Sequence, residues 1–113
     1  MGGNVKVNNL SSEFRASRDG DNNLVADRSV AVGGTAVPLI DTPALNTATT
    51  HVNIDIQGDD VWYTLDGSDP VATTNGHKIP ADSTAIWNID LASTARFISE
   101  GTSRIHLSEL QAK

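Results

Sequence analysis

A chain of 113 residues has room for one domain with at most an extended tail. A hydrophobic content of 38% with only 4% aromatic residues leaves material for a small core, more secure inside an assembly that buries further surface. The net charge of -6 argues against direct nucleic-acid binding, and the absence of cysteine removes disulfides, thiolate metal sites and cysteine nucleophiles together.

The charge is uneven. Residues 1–40 balance, whereas all of the acidic excess lies in residues 41–113, which suits a solvated outer surface or a basic protein partner. Met1-Gly2-Gly3-Asn4 lacks the charged region and apolar run of a signal peptide. No apolar stretch approaches the roughly 20 residues that span a bilayer.

Residues 1–34 are polar and rich in Asn, Ser, Asp and Gly. Val5 and Val7 alternate with Lys6 and Asn8, the pattern of a short strand over 4–10. Asp19-Gly20-Asp21-Asn22-Asn23 is a turn signal. Leu24-Val25-Ala26 and Val30-Ala31-Val32 are short apolar pieces. The segment reads as an extended arm with at most one hairpin, or as a disordered tail. Because Phe14, Leu24 and Val30 are too few to order it alone, the expectation is that it lies on a neighbouring subunit, and that its deletion leaves the β domain folded.

Thr35 to Ile40 reads as an edge strand, since Pro38 cannot donate to a central ladder. Residues 41–46 are a connector. Thr49 to Ile56 alternates most clearly, with Val52, Ile54 and Ile56 on one face and His51, Asn53 and Asp55 on the other. Gln57-Gly58-Asp59-Asp60 turns the chain, and Val61 to Leu65 is expected to pair back as a hairpin. Asp66-Gly67 breaks that strand. Gly67 is expected at positive φ, and Asp66 is placed to bond amides of the turn ahead of Pro70. Thr84 to Ile89 is a further strand. Asp90 to Ala95 reads as a helical turn capped by Asp90. Arg96-Phe97-Ile98 and Ser103 to Leu110 are the last strands, with Ile105 and Leu107 inward and His106 outward.

These elements specify an all-β fold: a small antiparallel β-sandwich or barrel over 35–113, with an extended N-terminal arm over 1–34. The expected core is Val52, Ile54, Ile56, Tyr63, Leu65, Trp87, Ile89, Phe97, Ile105 and Leu107.

The chemistry-bearing residues are scattered. His51, His77 and His106 lie on three segments with no zinc spacing. Asp55, Asp59, Asp60, Asp66 and Asp69 lack the calcium-loop spacing, and Asp66 with Asp69 reads as turn chemistry. Ser68, Ser83, Ser93, Ser99 and Ser103 have no nucleophile-elbow context. Gly33-Gly34 is not followed by the Lys-Ser/Thr of a phosphate loop. No catalytic residue, metal ligand or cofactor is therefore expected. Alternation places Trp62 opposite Tyr63 and Leu65, so it is either an exposed anchor or part of a second core face.

The stretch Tyr63-Thr64-Leu65-Asp66-Gly67-Ser68-Asp69-Pro70 resembles a turn in the immunoglobulin-like C-terminal domain of chitobiases and related hexosaminidases. Residues 61–70, Gly76-His77-Lys78, Ala85–Ile89, Arg96-Phe97-Ile98 and Ile105–Leu110 together resemble small structural proteins of tailed phages. The hexosaminidase domain is an appendage of a large enzyme, whereas a chain of this length fits one β domain plus an arm. That favours the phage resemblance.

It implies a non-enzymatic protein that cements or decorates the capsid surface of a virion assembled in the host cytoplasm. Its partners would be the major capsid protein and neighbouring copies of itself, with no nucleic acid and no membrane. Phe14, Leu24, Val30 and Trp62 are the candidate partner-binding residues. A tail or head–tail adaptor is the alternative within the virion. A carbohydrate-binding accessory module using Trp62, Tyr63 and Trp87 is the alternative outside it.

Overall fold

The computed structural model describes residues 13–41, 44–72 and 74–113. The described elements run β1 (Phe14–Ala16), β2 (Arg28–Val32), β3 (Val37–Pro38), β4 (His51–Gly58), β5 (Val61–Thr64), β6 (His77–Ile79), β7 (Thr84–Asn88), α1 (Ile89–Thr94), β8 (Arg96–Ser99) and β9 (Ser103–Ala112). The strand expected over 4–10 lies outside the described residues.

The two most strongly alternating segments, β4 and β9, pair antiparallel from His51↔Leu110 to Gly58↔Ser103. This register puts Val52, Ile54, Ile56, Ile105 and Leu107 on one face, all at most 1% exposed. β7 flanks β4, while β1 and β2 both pair with the far side of β9. The second sheet has the order β3-β8-β5-β6. It turns Val61, Phe97 and Tyr63 towards the first, and the two apolar faces close a sandwich around one core. Pro38 sits in edge strand β3, where its missing N–H costs no ladder bond.

Contrary to expectation, β4 and β5 are not a hairpin, because they belong to different sheets. Gly58 has φ +96°, and a Cβ there would meet the Thr102 carbonyl oxygen at 2.5 Å. The chain thus presses against the β8–β9 turn and crosses to the other sheet instead of folding back. Asp59 fixes the crossing: its N–H donates to Thr102 O (3.1 Å) and its Oδ2 accepts from Thr102 N (2.9 Å).

Residues 14–32 correct a second expectation. Phe14–Ala16 pairs with Leu110–Ala112, and Arg28–Val32 pairs with Ser103–Leu107 of the same chain. Val32 is buried and Val30 packs on the core. The expectation of an arm lying on a neighbouring subunit therefore does not hold for these strands, and deleting 1–34 would strip one flank of β9. The sequence pattern does not show this because three- and five-residue strands gain stability from a partner strand rather than from their own apolar content. The intervening excursion forms the expected turn. Asp19 Oδ1 accepts from Asp21 N (2.8 Å) and Asn23 N (3.0 Å), and Arg18 bridges to Leu24.

Smaller differences follow local chemistry. Leu65 lies beyond the end of β5 and is 36% exposed, because Thr64 is buried and its hydroxyl donates to Ser68 O, which ends the strand. Ile89 opens α1 rather than extending β7. The cap of α1 is Asn88, whose Oδ1 accepts from Leu91 N at 3.0 Å, with Asp90 in the first turn. Gly67 has φ +84°, as expected, and a Cβ at this position would point into open space. Gly67→Val therefore meets backbone strain without a clash, and is expected to cost about 1–2 kcal/mol in urea denaturation. A wild-type midpoint would contradict that reading. Ser68 donates to Asp66 Oδ1 through its hydroxyl (2.5 Å) and its amide (3.0 Å). The hydroxyl bond first and the amide bond second hold the Asp66 carboxyl below its ordinary range. Arg96 ties Asp69 of the same turn to β8 at 2.8 Å.

Candidate functional site

At the end of the sandwich where β4 crosses to β5, three loops meet. The crossing contributes Asp59 and Asp60, β5 contributes Trp62, the β6–β7 loop contributes Ala81, and the β8–β9 turn contributes Glu100 and Gly101. They line an open cleft of about 390 Å³. Trp62 reaches it because β5 alternates: Val61 and Tyr63 face the core, so Trp62 stands on the outer face between Lys78 and Ile98.

The carboxylates are held in place by the backbone around them. Asp60 O accepts from Ser99 Oγ at 2.9 Å, and Asp60 Oδ1 accepts from Ala81 N at 2.7 Å. Ser99 and Ser103, both buried, share a hydroxyl contact of 3.1 Å beneath the cleft, and Ser103 also donates to Asp59 O. These serines thus hold loops together. Lys78 Nζ lies 3.2 Å from Asp60 Oδ2 and 5.7 Å from the centre of the Trp62 ring. The Ala81 amide first, and then Lys78, hold the Asp60 carboxyl below its ordinary range. Asp60 therefore keeps its charge until the pH falls below the usual carboxylate range. Glu100 is exposed at the rim.

Three carboxylates beside an aromatic face attract a cation. An ammonium gains from both the ring quadrupole and the negative charge, and a guanidinium can add paired hydrogen bonds to a carboxylate. Lys78 already realises half of that arrangement within the chain.

Of the four candidate partner-binding residues, Trp62 alone lines this cleft. Phe14 is half-buried on β1, its ring centre 4.5 Å from that of His51. Val30 faces the core from β2. Leu24 is 60% exposed on the 18–24 excursion. The three aromatics of the carbohydrate reading do not share a platform. Tyr63 and Trp87 pack inside with ring centres 4.9 Å apart, on the opposite side of β5 from Trp62.

In the sequence, Asp59, Asp60 and Glu100 read only as turn residues. The signal that points to the cleft is two adjacent acids just before a tryptophan whose strand parity turns it outward. Among the described residues, no group of three or more histidines and carboxylates is placed to hold a metal ion.

A second polar cluster lies at the other end of the β4–β9 pair. Glu109 is 3% exposed and faces inward opposite Val52. Its Oε2 lies 3.2 Å from Arg28 Nη2, and its Oε1 accepts from Asn46 N (2.7 Å) and Thr49 Oγ1 (2.8 Å). Thr49 Oγ1 also meets Ser17 Oγ at 2.9 Å. The cluster joins β2, β9 and the segment before β4, and is enclosed. Its geometry is that of a structural tie.

No described helix is long and apolar enough to cross a membrane. Comparisons of the chain with protein-family models, with curated proteins and with solved structures find no match.

Proposed function

We propose that this protein acts by binding other proteins, as a structural component that cements or decorates the capsid of a tailed phage. The observation that carries the binding reading is the cleft in which Trp62, Asp59, Asp60 and Glu100 converge. It suits a lysine or arginine side chain presented by a basic partner surface. The capsid assignment rests on the resemblance of the strand, turn and linker motifs of residues 61–110 to small phage structural proteins. On this reading the partners are the major capsid protein and neighbouring copies of the chain, and the place of action is the outer capsid surface.

The reading is tested on particles. A mass-spectrometric inventory of purified virions is expected to find the chain at a copy number comparable to that of the capsid subunits. Purified protein is expected to rebind stripped particles, and Trp62→Ala to weaken that rebinding roughly tenfold, as loss of an interface tryptophan commonly does. Absence of the chain from virions would remove the capsid assignment. Undiminished rebinding by Trp62→Ala would remove the cleft from it.

A further inference from the structure

Among the described residues the four sheet edges are unequal. β3 carries Pro38, and β6 bears Lys78 and is followed by Pro80. The flank formed by β1 and β2 is broken by the 18–24 excursion. Proline, lysine and interruption are the usual means by which a sheet edge is kept from pairing with another chain. β7, Thr84-Ala85-Ile86-Trp87-Asn88, has none of them. Its five residues pair with β4 without a bulge, and it carries no charge.

Two bonds fix which backbone groups of β7 point away from β4, on the side where no described strand pairs with it. Ile56 N donates to Ser83 O (2.9 Å) and Ile89 N donates to Thr50 O (3.1 Å). Antiparallel alternation then directs the groups of Ala85 and Trp87 towards β4. Thr84 and Ile86 turn both N–H and C=O to the open edge, and Asn88 turns its N–H there. The Ile86 side chain is 37% exposed beside this edge, and Leu91 of α1 is 40% exposed. Exposed Asp82 and Asp90 stand at the two ends.

We propose that the β7 edge is a docking site for an extended peptide segment with alternating apolar residues and a lysine or arginine at each end. The segment adds a strand: its main chain pairs with Thr84, Ile86 and Asn88, an apolar side chain covers Ile86, and its basic ends meet Asp82 and Asp90. Charge selects this occupant over a second copy of the chain. In a symmetric antiparallel pairing centred on Ile86, the Asp82 end of each β7 would lie against the Asp90 end of the other, which brings like charges together at both ends of the seam. The proposal does not depend on the capsid reading, and it concerns a strand that does not line the Trp62 cleft.

The probe is an acetylated and amidated peptide, Lys-Thr-Val-Thr-Val-Thr-Arg, added to the full chain and followed by NMR. The expected result is slowed amide exchange at Thr84, Ile86 and Asn88. The same peptide with Glu at both ends should bind roughly five- to tenfold more weakly, the scale of two exposed charge pairs. Asp82→Lys combined with Asp90→Lys should invert that preference. Ile86→Pro removes an N–H that points away from β4, so binding should be lost while Ala85 and Trp87 stay protected. If Ile86→Pro does not fold, the charge-inverted variant decides alone. Three results overturn the proposal: no protection at the three amides, equal binding of the basic and acidic peptides, or peptide-free protection that grows with protein concentration, which would identify a second copy as the occupant.

Discussion

Replacing Glu109 with alanine is expected to lower the unfolding free energy by about 3–5 kcal/mol, the cost of removing one partner of a buried ion pair. The Glu109 side chain is 1% exposed and that of Arg28 20%, so water cannot take over fully from the lost carboxylate. The truncation also takes the acceptor from Asn46 N and Thr49 Oγ1. Buried donors left without an acceptor carry their desolvation cost into the folded state. Glu109→Gln keeps an oxygen for those donors and removes only the charge facing Arg28, so its loss should be smaller. Urea denaturation of the two variants checks both the size and the order. A Glu109→Ala protein within about 1 kcal/mol of wild type, well short of the cost of breaking a buried pair, would contradict the account. So would a glutamine variant less stable than the alanine one.

The second large effect is expected at Phe97. Its side chain is fully buried and is the largest of the fully enclosed ones among the described residues. Its ring centre lies 5.8 Å from those of both Tyr63 and Trp87, so one aromatic side chain of the second sheet engages ones from each sheet. Phe97→Ala should cost about 3–5 kcal/mol through lost transfer energy and an unfilled cavity. Against a total margin of about 5–15 kcal/mol, this should lower the Tm by more than about 10 °C. Phe97→Leu retains most of the volume and should fall between the two. Calorimetry that placed the alanine variant within a few degrees of wild type would mean that the sandwich collapses around the gap.

The sequence alternation identifies the inner faces of β4 and β9 because each strand has one buried face and is long enough to repeat the two-residue period. Ile54 and Leu107, at 0% and 1% exposure, confirm that register. Pro38 and Gly67 are legible for another reason: each has a backbone constraint that few conformations satisfy. The β4–β5 connection is not legible. Gln57 to Asp60 has hairpin composition, and the crossing between sheets depends on the approach of Thr102, far away in the chain. The same holds for β1 and β2, whose partner is β9. The alternation carries one further signal. Counting on from Ile105 and Leu107 puts Glu109 inward, and counting back from Val32 and Val30 puts Arg28 on that face too. Two opposite charges at inward positions predict a buried pair. The Trp62 cleft is half visible: strand parity turns the tryptophan to the outer face, where it is half-buried, but only the folded loops bring Glu100 to Asp59 and Asp60.

The position of β9 has a consequence for the order of events during synthesis. β9 pairs with β1, β2 and β4, yet it is made after all the other described strands, and Phe14 meets Ala112 across 98 positions of sequence (112 − 14). At about 5–20 residues per second, the first strand waits roughly 5–20 s after it is made before its partner exists. Until then the first sheet has no centre, and β4 presents one unpaired edge. Pairings this distant in sequence also make the search slow, placing the chain with all-β domains that fold in milliseconds to seconds. The polar, turn-rich composition of residues 13–34 fits that interval, since a segment with few large apolar side chains can wait in water without sticking to its neighbours.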